Sequence, residues 1–561
     1  MPIRLQATLM ILSAMFLFPA IVFAQPKTLY NGISVSGPWP PILKSLSTDK
    51  PVRPPYLANP PSVILVDVGR QLFFDDFLIE RTTLTRTFHT ADYHPTNPIL
   101  KPDKPWEKKI ARKEWAGMSA AMAFGGGVWF DPKYGRFRMW YMGGYCLGRC
   151  YAESRDGVHW TKPNQDVVPG TNIVHPNLGD EALVWMDLED TDPAKRYKLF
   201  REDSKRGMAV YYSPDGIHWS DEVARTGSTS SPSTAFWNPF RKVWVYSIRA
   251  SSSKHGRYRR YWETPDPAVG IDWDNSPLPV VGPRGKGPSR APLWVCGDKL
   301  DPPFPGLGGK REIYNLDAVA YESVTLGLFS MLRGNPKGRP KIKDIVAAFS
   351  RDGFHWSRPF RRPIVAVSDT PGAWNYGNLQ SVGGCCLVVG DKLYIYVSGR
   401  TGIPGTRKSG ACSTGLAVMR RDGFASMDAG AEGGTLTTRP IRFRGKYAFV
   451  NANAAAGELR AEVLDKAGRV IAPFTRDNCL PIRTDKTLQA VRWKGGADLS
   501  ALAGRPVRLR FHLKNAHLYS FWISSDRSGA SYGYVAAGGP GFTGPRDTVG
   551  SVAYKAARAL K

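Results

Sequence analysis

Hydrophobic positions along this chain fall in short runs of aromatic and β-branched residues divided by turn residues, and no long amphipathic helix is visible. The runs Phe137-Arg138-Met139-Trp140-Tyr141, Tyr197-Lys198-Leu199-Phe200, Val243-Trp244-Val245-Tyr246, Leu326-Gly327-Leu328-Phe329 and Leu393-Tyr394-Ile395-Tyr396 have the composition of packed strands. Each leads on to a turn. Three of those turns are near copies: Ser154-Arg155-Asp156-Gly157-Val158-His159-Trp160, Ser213-Pro214-Asp215-Gly216-Ile217-His218-Trp219 and Ser350-Arg351-Asp352-Gly353-Phe354-His355-Trp356. Asp-Gly between two strand-forming runs supplies the positive backbone angles of a tight hairpin. Two degenerate copies, Thr264-Pro265-Asp266-Pro267 leading to Asp272-Trp273, and Arg421-Asp422-Gly423-Phe424, bring the number to five.

The aspartates of these copies, at 156, 215, 266, 352 and 422, lie 51 to 86 residues apart, which is room for one four-stranded sheet each time. Repetition on that scale predicts an all-β fold, a five-bladed β-propeller. The phrase itself is expected to be structural, its Asp fixing the turn and its Trp packing between blades. Beyond Gly433 and Gly434 the alternation lengthens, as in Glu458-Leu459-Arg460-Ala461-Glu462-Val463-Leu464 and Val507-Arg508-Leu509-Arg510-Phe511-His512-Leu513, and predicts a C-terminal β-sandwich. The expected segments are a signal peptide at 1–24, a Pro/Ser-rich lead-in at 25–62, the propeller at 63–430, the sandwich at 431–525 and a Gly-rich basic tail at 526–561.

The first segment carries Arg4, then an apolar run from Leu9 to Phe23 ending in small residues before Gln25, the pattern of a cleaved export signal. A secreted or periplasmic protein without membrane insertion, and expected to be a monomer, follows. Of seven Cys, Cys146 and Cys150 are spaced to bridge one loop, while the neighbours Cys385 and Cys386 are expected to pack. No cofactor is expected, since no Cys or His group has zinc spacing; a structural calcium at the propeller axis is left open. The net charge of +28 would raise nucleic acid as a partner, yet no basic helix or RNA-binding signature accompanies it. Export argues against nucleic acid as well. An acidic extracellular partner fits the charge, and so does solubility alone.

Tyr151-Ala152-Glu153-Ser154-Arg155-Asp156-Gly157-Val158-His159-Trp160 resembles a habit of the five-bladed propeller glycoside hydrolases, the invertase-like and arabinanase-like group of families 32 and 43. In that group the third strand of a blade ends in Ser-x-Asp and a Trp follows the turn. A sandwich after the propeller is similar to the invertase-type arrangement. The resemblance implies a carbohydrate substrate and carboxylates at the starts of the innermost strands, one protonating the leaving oxygen and another attacking or stabilising the cationic sugar carbon.

This chain departs from the group in the first blade, where Gly125-Gly126-Gly127 stand in place of the usual Asp and Asp131 reads as a turn residue. The remaining carboxylate candidates are Asp180, beside Glu181 at the start of blade two, Asp317 and Glu322 in blade four, and Glu114 ahead of Trp115. Asp180 and Asp317 form the first pair. Ser231, Ser233, Asn378 and Gln380 suit hydroxyl recognition, and Trp115, Trp185 and Trp374 could stack on sugar faces. Four second strands end in arginine, at Arg201, Arg249, Arg333 and Arg400, a set that would favour an anionic, uronic or sulfated sugar. The alternatives are a sialidase-like exo-glycosidase, for which the turn is one residue short of the usual box, and a non-catalytic glycan-binding propeller.

Overall fold

The aromatic and β-branched runs form antiparallel strands that fall into five successive sheets. The computed structural model describes residues 27–559 except 36, 177, 178, 180, 204, 205, 283, 284 and 497, so the expected signal peptide and Asp180 lie outside the described residues. The first sheet is built on Ser119–Asp131, Arg136–Gly143 and Gly148–Ser154, and the second on Ala182–Met186, Tyr197–Asp203 and Gly207–Ser213. Thr234–Asn238, Val243–Ser252 and Gly256–Thr264 form the third, and Glu312–Glu322, Val324–Gly334 and Ile342–Ser350 the fourth. The fifth contains Gly377–Gln380, Lys392–Arg400 and Ala411–Arg420, with Asp92–Tyr93 from the far end of the chain on its outer edge. It returns to the first sheet, because Ala411 and Cys412 pair with Ser119 and Ala120.

Hydrogen bonds within the repeated phrase account for its turns. Ser154 Oγ accepts the N–H groups of Asp156 and Gly157 at 3.2 and 2.9 Å, and Asp156 Oδ1 accepts those of Val158 and His159, both at 2.8 Å. Asp215 and Asp352 repeat the pattern with Ile217, His218, Phe354 and His355. Gly157, Gly216 and Gly353 hold φ of 79°, 76° and 83°, which only glycine adopts freely. A neighbouring sheet then seals each turn: Gly157 O accepts from the Tyr396 hydroxyl at 2.7 Å, Gly216 O from Trp140 Nε1 at 2.6 Å and Phe354 O from Trp294 Nε1 at 2.7 Å. The phrase therefore ties sheets together.

Two further antiparallel sheets share a second core that includes Phe73, Leu78, Val450, Val463, Phe511 and Phe521. Arg508–Lys514 shows why: Leu509, Phe511 and Leu513 point inward while the residues between them face outward. These sheets are not made by the C-terminal segment alone. Ile79–Thr82 pairs with Gly434–Thr438, and Thr85–Phe88 with Ala425–Ala429, so part of the stretch expected to open the propeller completes them instead.

The Gly-rich basic tail is built into the fold. Tyr534–Val535 pairs with Tyr321 and Glu322, and Ser551–Arg558 is a helix. Its glycines serve close packing: a Cβ at Gly539 would lie 1.8 Å from Val388 O, and one at Gly533 2.3 Å from Glu322 Oε2. All seven cysteines are buried and none is in a disulfide, so no bridge joins Cys146 to Cys150. Cys146 packs with Met122, Met142 and Cys412, whereas Cys150 belongs to the main core. Among the described residues no helix is long and apolar enough to cross a membrane, and no group of three His, Cys, Asp or Glu could hold a metal ion.

Candidate active site

The first strands of the five sheets are stitched to one another. Trp129 Nε1 donates to Val184 O, the Thr234 hydroxyl to Leu316 O and the Ser381 hydroxyl to Asp317 Oδ2, while Gly127 bridges to Gly383. Two buried carboxylates, Glu181 and Asp317, lie beside these contacts. Glu181, just ahead of Ala182–Met186, is 1 % exposed. Its place depends on the glycines of the first sheet, since a Cβ at Gly125 would come within 2.5 Å of Glu181 Cγ. The position where an Asp was expected is thus the space that the Glu181 side chain fills.

Asp317 lies on Glu312–Glu322 beyond a bulge between Ile313 and Asn315, and Asn315 Nδ2 donates to its Oδ2 at 3.0 Å. Burial pushes this carboxyl up to about 6, with the Ser381 hydroxyl and Arg259 opposing. Arg259, from the third strand of the third sheet, is fully buried and held by neutral acceptors: Ser247 Oγ at 2.9 Å, Pro232 O at 2.8 Å and Tyr314 O at 3.3 Å. Burial weighs against its charge, and Glu181, Asp317 and Glu202 support it electrostatically while Arg249 opposes it.

The other expected site residues divide. Glu322 is not in the junction. It is fully buried in an ionic cluster, with Arg421 Nη2 at 2.8 Å, Arg70 Nε at 3.4 Å and the Ser531 hydroxyl at 2.7 Å, and it holds the tail to the fourth sheet. Glu114 sits on the surface, paired loosely with Arg112 at 3.8 Å, and the Trp115 ring packs edge-on against Tyr145. Trp185 is core, edge-on to Trp129 and Trp244. Trp374 packs so closely on Gly399 and Gly415 that a Cβ at either would touch its ring.

Of the four arginines, Arg333 is committed to Asp344 at 3.6 Å and to the carbonyls of Pro302 and Arg361, and Arg201 donates to the Tyr211 hydroxyl at 3.1 Å. Arg249 donates to Ser231 O at 2.5 Å, and its backbone N–H to the Ser233 hydroxyl at 3.0 Å. Arg400, 2 % exposed, donates to Asn378 O at 2.9 Å. Two residues near these contacts went unforeseen: Arg259, and Lys343, whose ammonium lies 3.1 Å from the centre of the Tyr314 ring; Glu181 was read only as the neighbour of Asp180, which lies outside the described residues. The one available signal was the strand run Arg257-Tyr258-Arg259-Arg260, in which Arg259 and Arg260 are both buried.

No family model matches the chain, and no curated protein matches it. Among solved structures it is similar to an N-acetylgalactosamine deacetylase from F. plautii in complex with blood group B trisaccharide, at 14% identity over 64% of this chain and 97% of that one, TM-score 0.33. It is similar also to a thermostable family-43 glycoside hydrolase, at 12% identity over 54% and 93%, TM-score 0.35. An endo-arabinase from Bacteroides thetaiotaomicron shows 12% identity over 54% and 95%, TM-score 0.31. Likenesses this distant leave the chemistry to be judged from the side chains themselves.

Proposed function

We propose that the five sheets close radially into a propeller, that the two further sheets form a sandwich beside it, and that the protein hydrolyses glycosidic bonds at the junction of the first strands. The radial arrangement is supported by the contacts that run from each sheet to the next and by the return of the fifth to the first. Residues 1–24 would export the chain, consistent with a glycan substrate outside the cell.

The observation that carries the hydrolase is Asp317, a buried carboxyl held by Ser381 and Asn315 where the first strands meet, with Glu181 buried at the start of the second sheet. Asp317, pushed up to about 6, keeps its proton into the mildly acidic range and can give it to the leaving oxygen. Glu181, complemented by Arg259, is placed to attack the sugar carbon or to activate water. Ser381 and Asn315 both donate to Asp317 Oδ2 and so fix its rotamer, which orients the acid before substrate arrives.

The test is reducing-end release from a panel of neutral, uronic and sulfated polysaccharides, with wild type beside Asp317→Asn, Glu181→Gln and Asp180→Asn. Release by wild type that disappears in Asp317→Asn and Glu181→Gln is expected. Binding of a glycan with no ends released would make the protein a glycan-binding propeller instead, and full turnover in both variants would remove the pair from the chemistry.

A further inference from the structure

An open cleft of about 970 Å³ lies away from the junction, where three parts of the chain meet. One wall is the fifth sheet, at Lys392, Tyr394 and Arg420; another is Asp485–Ala490 of the second-core sheets, at Lys486; the third is the helix Ser551–Arg558, at Lys555 and Arg558. The strand Lys392–Arg400 measures the separation, because its first residues line the cleft while Ser398 pairs with Gln380, the neighbour of Ser381. From Lys392 to Ser398 an extended strand covers about 20 Å. The cleft is therefore a space of its own.

Its walls are locked to one another. Arg420 pairs with Asp485 at 2.5 Å and donates to Asn451 Oδ1 at 2.8 Å and Ala452 O at 3.2 Å, with its guanidinium 4.5 Å from the centre of the Tyr519 ring. The Tyr554 hydroxyl meets that of Thr487 at 2.9 Å, and Gly390 lets the helix approach, since a Cβ there would stand 3.1 Å from Ala557 Cβ. The cleft is thus shaped before anything enters it. Its cations are uncommitted: Lys392, Lys486, Lys555 and Arg558 are exposed, and among the described residues no ion pair or side-chain hydrogen bond occupies any of them. With Asp485 taken by Arg420, the carboxylates left to face these four are Asp92 and Asp391. Positive charge prevails. The Tyr394 hydroxyl, also in the cleft, makes no hydrogen bond among the described residues.

We propose that this cleft is a second glycan-binding site, which holds a stretch of acidic polysaccharide carrying uronic carboxylates or sulfate esters away from the point of cleavage. The choice of a glycan among polyanions rests on the hydrolase reading of the junction. Cations on three walls can bracket a chain laid along the cleft, while the Tyr394 ring takes the apolar face of one sugar and its hydroxyl bonds to another. Exposed charges contribute little singly, so affinity grows with the number of anionic units held at once and favours polymer over disaccharide. The protein's charge of +28 would raise the local concentration of such a polymer.

The experiment measures binding to two polymer pairs, polygalacturonate against its carboxyl-reduced form and sulfated galactan against its desulfated form, in an Asp317→Asn background so that cleavage does not consume the ligand. One anionic polymer is expected to bind roughly tenfold more tightly than its neutral match, and which one does so distinguishes carboxylate from sulfate. Lys392→Ala combined with Lys486→Ala should weaken that binding roughly threefold to tenfold, and Lys555→Ala combined with Arg558→Ala by a similar factor. All four side chains are exposed, so these variants keep the fold. The control removes two charges elsewhere: Lys44→Ala with Lys50→Ala, on the segment held to the third sheet by Leu46 O and His255 Nε2 at 3.1 Å, should change binding by less than about twofold. Equal binding within both pairs, an equal loss in the control, or polyglutamate held as tightly as the glycans overturns the inference. Cleft-dependent binding with no reducing ends released by wild type would remove the hydrolase and leave the cleft standing; turnover with polymer binding untouched by the cleft variants would do the reverse.

Discussion

Asp317 and Asp422 belong to neighbouring sheets and are both sealed from water, at 5 and 1 % exposed, yet their carboxyls are displaced in opposite directions. Burial pushes Asp317 up to about 6, and Ser381 and Arg259 only moderate it. Burial acts the same way on Asp422, but Arg70 at 3.0 Å, Arg421, Tyr321 and Ser520 overcome it and hold the group at about 2. The difference is a guanidinium in contact. If the proposed function holds, burial without a contact cation, rather than burial by itself, is what marks the working carboxylate.

The strongest way to break that comparison is to neutralise each aspartate and read activity and stability together. Asp317→Asn is expected to lower kcat by roughly 10²–10⁴-fold, the range for loss of a general acid, with unfolding in urea little changed or slightly later. Asp422→Asn should do the opposite. It breaks the buried ion pair with Arg70 and leaves Glu322 as that cation's remaining contact carboxylate, a loss of about 3 kcal/mol in urea unfolding. Glu322→Gln, in the same cluster, belongs with Asp422→Asn. Turnover lost from a fully stable Glu322→Gln protein would return Glu322 to the active site.

The pH dependence sharpens the same contrast, somewhat more weakly. Asp317 has an ordinary value of 3.8 and a folded value of about 6, so the folded chain binds this proton more tightly. Its contribution to stability is full below about pH 4 and is lost as pH rises toward 6, up to about 3 kcal/mol. Asp422 contributes above pH 4 and loses its share, about 2–3 kcal/mol, as pH falls toward 2. Unfolding free energies measured from pH 3 to 8 should therefore flatten between 4 and 6 in Asp317→Asn and below 4 in Asp422→Asn. Turnover should decline as pH passes about 6, where Asp317 gives up its proton.

What could be seen in the sequence follows the range of the interactions. The Ser-x-Asp-Gly turns were legible because every bond that makes them lies within five residues, from Ser154 Oγ to the His159 N–H. Asp317 was legible as an acid near a strand start. Glu181 was not separable from Asp180 without knowing that Gly125 leaves it room. Ile79–Thr82 and Thr85–Phe88 joined the C-terminal sheets unforeseen because their partners stand some 340 residues or more away and no local pattern encodes that pairing. Glu322 was misassigned for a related reason: Arg70, Arg421 and Ser531, which neutralise and bond it, come from three distant segments.

The smallest effect expected is at the repeated turns, and it tests whether carboxylates bonded only by local groups stay out of the chemistry. Asp156 accepts two backbone N–H groups and faces His159, and those bonds outweigh burial to hold it at about 2. Its side chain is 31 % exposed, so water can replace part of what Asp156→Ala removes, and a loss of about 1 kcal/mol is expected. Asp352 makes the same bonds at 5 % exposure. Less water can replace the carboxylate at the N–H groups of Phe354 and His355, and Asp352→Ala should cost about 2 kcal/mol. Both variants should retain wild-type kcat at temperatures where they are folded. An Asp156→Ala protein with unchanged urea midpoint and lost turnover would show that a carboxylate saturated by local bonds can still serve the reaction, and the criterion drawn from Asp317 and Asp422 would fail.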